Sequence, residues 1–516
     1  MRTALVLVAA ALGTPRATGC KERVLVVGSG ISGLVAAESL RHFGCQVTVL
    51  EALDRPGGRT HTFAAGPFAG TEEGAHWVHG GVDNTPVSLL LRMHNLSQVR
   101  VGGDDDYEGS RDRLTIFSEG KALSAEQRDG SFDLFQTALA AVSTCAEGQL
   151  SQKDVNVSVG DIWRRAVKVN YTAQSQLFLA WHRKVSFQQD EGASMDKLSA
   201  VNEYLEDYTD FYPEKSEGWE KHGDGYVKGG YSSLVARLAE NLDIRVSSPA
   251  TRIEYSGAGV AVTADGQRFE GSAVIVTASV GALQTGHLAF DPPLSSWKSA
   301  AIGRLGMGNV AKVLVKLSQP LKSSAYALGF LGRRLLSFCI RGAAEGRSRV
   351  LECFLGGREA LNAEAMDAER LKGEVAKELA DLGSVEEVAI SKWASNPFIR
   401  GAWSFAPVNS SVQDFDLLAA PVGRVHFAGE GTCRLLYGNV HAAVVSGARA
   451  AHQVLQQFET APFRTDEWPL FRKEILNLCT VSPARTRART RARAPAGLKR
   501  AFEVGENRGH GAPFVV

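Results

Sequence analysis

The chain has 516 residues, too many for one simple core, so two domains are the default expectation. Hydrophobic residues make up 44% and charged residues 22%, the balance of an ordinary soluble globular enzyme. A formal net charge of +1 gives the whole molecule no electrostatic pull toward nucleic acid or acidic membranes, so neither is expected as a general partner.

At the N-terminus, Met1-Arg2-Thr3 precedes the apolar stretch Ala4–Leu12 and then Ala17-Thr18-Gly19, a small-x-small pattern ahead of Cys20. This is the layout of a secretory signal peptide, so residues 1–20 are expected to be processed and the protein to be secreted or held in the secretory pathway. An organelle transit peptide fits less well because serine is absent, although Arg2 and Arg16 occur with no acid before Glu22; a cytoplasmic or organellar location is the alternative. The apolar run is too short to span a bilayer, so no stable membrane insertion is expected. Sequons at Asn95, Asn156, Asn170 and Asn409 agree weakly with secretion and glycosylation. The 7 cysteines show no CxxC and no Cys/His spacing for zinc. No metal is therefore expected, and most cysteines read as buried or unpaired thiols, with a disulfide or two left open.

The chemistry begins at Arg23. An apolar run, Val24–Val27, enters Gly28-Ser29-Gly30-Ile31-Ser32-Gly33, a helical pattern follows to Phe43, and a second β-rich run, Val47–Leu50, ends in Glu51. Gly28 permits a tight turn, Gly30 lets the backbone approach a pyrophosphate, and Gly33 lets helix and strand pack closely. The helix N-terminus then offers free N–H groups to phosphates. Glu51 stands where a carboxylate can accept from the ribose hydroxyls of an unphosphorylated dinucleotide. Arg55-Pro56-Gly57-Gly58-Arg59 follows at once and would bring backbone and a guanidinium to an extended cofactor.

Three separated segments, 21–95, 226–295 and 401–458, read as one discontinuous nucleotide-binding domain. The second has a helical pattern over Tyr231–Leu242 and strands at Ile244–Val246, Arg252–Tyr255, Val260–Thr263 and Ala273–Thr277. The third enters a helix over Val440–Phe458. Segments 96–225 and 296–400 are left to form a second domain, with amphipathic helices at Ser131–Ala146 and Ala365–Leu382 and a sheet from Val310–Leu317, Ala325–Ile340 and Val350–Leu355. Residues 459–516 form a C-terminal extension whose PARTRARTRAR stretch, Pro483–Arg493, cannot bury a hydrophobic face and reads as disordered; a basic arm for nucleic acid or an anionic surface is the minor alternative.

Read together, these motifs resemble the flavin amine oxidase superfamily, closest to polyamine and spermine oxidases, over about Arg23 to Phe458. The resemblance implies an α/β fold: a Rossmann-like FAD-binding domain with an interleaved α+β substrate-binding domain. Gly74-Ala75-His76-Trp77 resembles the segment under the isoalloxazine, and Phe427-Ala428-Gly429-Glu430, with Val440 opening the helix beyond, resembles the C-terminal FAD segment. Lys312 matches the lysine that holds a water against flavin N5. His79, in Trp-x-His-Gly, matches a substrate-orienting histidine of animal polyamine oxidases. Trp403 falls on one wall of the aromatic cage that guides an amine, and Ala402 replaces the cysteine that binds FAD covalently in monoamine oxidases, which implies noncovalent FAD. The opposite wall departs from the pattern: Asn439 stands where relatives have tyrosine or threonine, with Tyr437 two residues away.

The implied reaction is oxidation of a polyamine or related secondary amine. The substrate α-carbon gives up a hydride equivalent, the imine hydrolyses to aldehyde and amine, and O2 is reduced to H2O2. Residues 203–224, rich in Asp and Glu interleaved with Tyr, Phe and Trp, read equally as a solvated loop or a cation-recognition surface. The alternatives are oxidation of another amine (an L-amino acid, for which no carboxylate-binding arginine is assignable, a monoamine or a lysine side chain), a flavin-binding protein without turnover, or an NAD dehydrogenase. Oligomeric state is not readable.

Overall fold

Val24–Val27 and Ala273–Val276 are apolar at every position, as parallel strands covered on both faces must be. They lie at the centre of a five-stranded parallel sheet ordered Val425–Phe427, Ala273–Val276, Arg23–Val27, Gln46–Leu50, Asp243–Arg245. From the first strand the chain builds outward to one side and later returns to build on the other. That reversal opens a crevice beyond the C-terminal ends of the central strands, where such sheets bind ligands. This computed structural model describes residues 19–79, 85–100, 113–167, 171–204, 224–321, 325–341, 349–458 and 468–479. The expected leader (but for its last two residues), the sequon at Asn170, most of the acidic–aromatic stretch and the basic arm lie outside them.

The helix Ile31–His42 covers one face of this sheet and packs against the helix Val440–Gln457. The two approach closely because Gly447 faces the Ser32 backbone, where any Cβ would run into the Ser32 carbonyl. Thus the first and last motifs of the nucleotide-binding segments pack directly on each other.

The second sheet has seven strands in the order Val385–Ile390, Val310–Leu317, Val350–Gly356, Phe338–Arg341, Ala327–Phe330, Leu114–Ser118, Lys121–Ala122. Period-two alternation sorts the central strand: Ala311, Val313 and Val315 join a core with Ala360, Leu371 and Val375 of two covering helices, while Leu314 packs toward Phe68 of the first domain. Lys312 shares the Leu314 parity. The helix expected over Ala365–Leu382 is present but shorter, Ala368–Glu378, because Asp367 caps its start by accepting from the Arg370 N–H at 2.8 Å; a separate helix, Gly357–Glu364, precedes it. Ser131–Ala146 is part of a longer helix, Ala125–Gln149, begun by a Ser124/Gln127 capping box.

The cysteines require correction. Six of them form Cys20–Cys45, Cys339–Cys353 and Cys433–Cys479, leaving Cys145 as the free thiol. Cys339 and Cys353 face each other across neighbouring strands, a proximity that only the sheet register reveals. Cys20 also donates its backbone N–H to Phe43 at 2.8 Å, so the folded body starts before the 1–20 boundary rather than after it. Part of the C-terminal extension folds back as well: buried Trp468 donates to Ser39 Oγ at 3.0 Å, and Phe471 stacks on Phe43.

Candidate active site

The crevice is shaped by the glycine loop. Gly28 has φ +98°, and a Cβ there would press on Thr277 Oγ1, while a Cβ on Gly33 would strike the Gly28 carbonyl. Gly30 is different: nothing lies within 4 Å of its missing Cβ, and as N-cap it gives the following helix no side-chain cap. Backbone donors at Ile31, Ser32 and Gly33 thus begin a helix that has no side-chain anion of its own. Buried Glu51 closes the second strand, accepting from Ser29 N–H and Oγ–H, each at 2.6 Å, and from the Leu53 N–H at 2.8 Å. It braces the glycine loop.

Arg59 and Glu430 meet across the crevice. One Arg59 nitrogen donates to Glu430 Oε1 at 2.9 Å and to the Ala402 carbonyl at 2.6 Å. Glu430 also accepts from Ser404 Oγ at 2.5 Å and the Gly438 N–H at 2.9 Å. Gly429, at φ +114°, turns the chain into this junction and donates to Ser446 Oγ at 3.0 Å. Gly74 fits against the Arg59 carbonyl with no room for a side chain, and Ala75 donates to that same carbonyl at 3.1 Å. Val440 opens the helix Val440–Gln457 with its N-terminus beside this junction.

Lys312 lies 5% exposed, donating to the Glu72 carbonyl at 3.0 Å and to Glu352 Oε2 at 3.4 Å. His76 Nδ1 is 3.1 Å from the same Glu352 oxygen. Burial lowers the Lys312 pKa, opposed chiefly by Glu352 and Glu72. For Glu352, burial alone would raise the pKa, but His76 and Lys312 together bring it to about 2. Burial raises that of Glu72, whose carboxylate caps the helix Tyr231–Ala239 by accepting from the Tyr231 N–H at 2.7 Å. The Tyr231 hydroxyl donates to the Trp77 carbonyl at 2.9 Å, and the Trp77 ring stacks on Phe354. Three buried atoms here, His76 Nδ1, His76 Nε2 and Trp77 Nε1, lack a hydrogen-bond partner among the described residues, the 3.1 Å approach of Nδ1 to Glu352 being an ion-pair contact.

His79 is partly exposed, with Nδ1 2.9 Å from Asp224 Oδ2. Its carbonyl faces His441 Nε2 at 3.1 Å; burial lowers the His441 pKa to about 4, so that ring is neutral and donates from Nε2. Trp403 is anchored by its indole N–H to the Asp190 carbonyl at 2.9 Å, and its ring borders Gly438. Through these contacts Lys312, His76, Trp77, His79, Trp403 and the start of the helix Val440–Gln457 are connected.

Two expected substrate contacts are otherwise engaged. Tyr437 stacks on Phe415 with centroids 4.5 Å apart and planes at 7°, a packing contact. Asn439 is the N-cap of the helix Val440–Gln457, its Oδ1 accepting from the Ala442 N–H at 3.2 Å. Sequence reading also passed over Glu352, Asp190 and Glu191. Glu352, a lone carboxylate in the apolar run Val350–Gly356, carries the same signal that singled out Lys312. Asp190 and Glu191 follow a π-helical turn, Lys184–Gln189, that no periodicity announces. Burial raises the pKa of Asp190, Glu191 and Glu203, and mutual repulsion adds to it for the first two; Glu191 is pushed up to about 8.

The open Gly30 flank, the uncapped helix start and the orphaned donors at His76 and Trp77 suit a dinucleotide carrying a polar ring. The match to known proteins agrees. Residues 31–455 match the model of the flavin containing amine oxidoreductase family. The chain is 30% identical over 453 residues to lysine-specific histone demethylase 1B of Mus musculus, across 84% of this chain and 52% of that one. It is 27% identical over 449 residues to polyamine oxidase 4 of Oryza sativa subsp. japonica, across 83% and 88%. The chain thus spans about half the length of the mouse demethylase. A structure of putrescine oxidase bound to putrescine superposes with a TM-score of 0.67 at 20% identity, across 85% of this chain and 99% of that one. The chain belongs to the flavin-containing amine oxidoreductase family. Its cofactor is FAD, and its fold is the two-domain amine oxidase fold.

Proposed function

We propose that this protein oxidises polyamines or related secondary amines, releasing an aldehyde, a shorter amine and hydrogen peroxide. The observation that carries the reading is the carboxyl group cluster of Asp190, Glu191 and Glu203 beside Trp403. Asp190 and Glu191 are half-buried and Glu203 is exposed, each of the first two is held back from ionising by desolvation and by its acidic neighbours, and none has an ion-pair partner among the described residues, which suits a substrate bringing its own ammonium groups. The indole face of Trp403 favours a cation on the approach. The rice polyamine oxidase similarity supports the same class.

In this reading His79, oriented by Asp224, hydrogen-bonds the amine to be oxidised and holds it neutral. Lys312 holds a water at the cofactor, and Arg59 with Glu430 fixes the segments that line the crevice. FAD, when bound, supplies the two-electron acceptor, and dioxygen takes the electrons on to hydrogen peroxide. Ala402 offers no thiol, so FAD is held noncovalently. We also propose that the protein folds in an oxidising compartment, which three disulfides and the N-terminal pattern support.

The test is peroxide release from the purified holoprotein with spermine, spermidine, their acetylated forms, monoamines, L-amino acids and a methyl-lysine peptide. We expect turnover with at least one polyamine. Peroxide with the methyl-lysine peptide alone would move the assignment toward the reaction that the mouse relative's name describes, and no peroxide with any polyamine overturns the substrate class.

A further inference from the structure

Glu352 contacts both Lys312 and His76, and it comes from a strand that no other candidate residue occupies. Lys312 Nζ is 3.4 Å and His76 Nδ1 3.1 Å from the same oxygen, Oε2. All three side chains are almost fully buried, with exposures of 6%, 3% and 1% for Lys312, His76 and Glu352. A carboxylate removed from water persists only where cations and donors compensate it, and the converse holds for the lysine.

The other groups facing Lys312 are differently placed. The Glu72 carboxylate is spent on the Tyr231 N–H and on Thr62 Oγ, at 2.7 and 3.0 Å. Glu73 pairs with His61 Nδ1 at 2.7 Å and lies 3.7 Å from Arg55. Glu352 is therefore the carboxylate in direct contact with the ammonium. Its strand is held rigid one residue away, where Cys353 is bonded to Cys339 with Cα atoms 3.9 Å apart. Two of the three ammonium hydrogens are taken by Glu352 and the Glu72 carbonyl, leaving one to serve the cofactor side.

We propose that Glu352 is a positioning residue for Lys312: it keeps that lysine an ammonium, aims its remaining donor into the FAD site, and shares its charge with His76. The proposal rests on the reading of Lys312 as the cofactor-facing lysine. It does not depend on which amine is oxidised.

The test uses resting holoprotein with no amine present. The flavin absorbance spectrum is titrated with pH in wild type, Lys312→Met, Glu352→Gln and the double variant. A Lys312-dependent inflection is expected in wild type and lost in Lys312→Met. Removing the neighbouring negative charge disfavours the ammonium, so in Glu352→Gln the inflection moves to lower pH by about 1–2 units. In the Lys312→Met background the second substitution should change nothing further. A wild type without such an inflection, an unmoved inflection in folded Glu352→Gln, or a spectral change by Glu352→Gln that persists without Lys312 overturns the proposal. If Glu352→Gln fails to retain FAD, the pair Lys312→Met with Glu352→Leu removes both charges and is expected to restore FAD content. Continued loss there marks Glu352 as a scaffold residue and overturns the proposal too. A negative peroxide screen with a shifted inflection would leave this inference standing while the substrate class falls.

Discussion

At the scale of single residues, the site is governed by which charges are compensated. His79 and Asp224 are within hydrogen-bonding distance at 2.9 Å, so Asp224→Asn is expected to leave flavin content unchanged and lower kcat/KM for the best amine by on the order of 10- to 100-fold, read by steady-state peroxide release. The carboxyl group cluster makes a second prediction with a definite sign. Glu191 ionises only as pH rises through about 8, and its neighbours are raised too, so the cluster gains negative charge from pH 7 to 9. The KM of a polyamine should fall over that interval and the fall should be blunted in Glu191→Gln; a KM flat with pH in wild type would remove the cluster from recognition. Lys312, His79 and Trp403 were singled out because each stands inside a motif, and Lys312 is linked to His76 through Glu352, His79 to the helix Val440–Gln457 through His441, and Trp403 to Gly438 just before that helix. Asn439 was legible as a departure but not as a helix cap, since capping depends on where the helix starts. Glu352 and Asp190 could be given a place only once strand register and the π-helical turn were known.

At the scale of elements, the contact between the helices Ile31–His42 and Val440–Gln457 determines how the ends of the cofactor site meet. Gly447→Ala would force its methyl into the Ser32 carbonyl, so we expect a loss of about 1–3 kcal/mol and reduced FAD retention, measured by thermal melting and the ratio of flavin to protein absorbance. Asn439→Ala should cost about 1 kcal/mol through the lost cap, whereas Asn439→Ser should hold most of it. A larger effect on KM than on melting temperature in both variants would return Asn439 to the substrate wall. Four of the five strands of the nucleotide-binding sheet, all but Val425–Phe427, were readable to within two residues from their apolar or β-branched runs. Helix lengths in the second domain were not, because Ser124 and Asp367 decide them locally while amphipathic periodicity only shows that a helix is present.

At the scale of the whole molecule, three disulfides close loops with separations of 25, 14 and 46 residues. Each such link contributes about 3–4 kcal/mol by restricting the unfolded chain, so thermal melting under strong reductant should fall well below that of the oxidised protein. Cys433→Ser, which opens the longest loop, should reproduce a good part of the fall. These pairings were closed to sequence reading because only the sheet register and the packing of residues 468–479 bring the partners together. The first sheet, by contrast, draws its strands from distant parts of the chain, beside the motifs singled out there. The sheet begun at Arg23–Val27 is completed only by Val425–Phe427, and the crevice only by the helix ending at Gln457. During synthesis, then, the glycine loop emerges early and waits for most of the chain: a nascent polypeptide halted before residue 425 has four of the sheet's five strands, an open edge at Ala273–Val276 and no Glu430 to meet Arg59. Flavin capture is placed by this topology at the end of translation, and a cell short of the vitamin that supplies it would accumulate complete but unfilled chains rather than stalled ones.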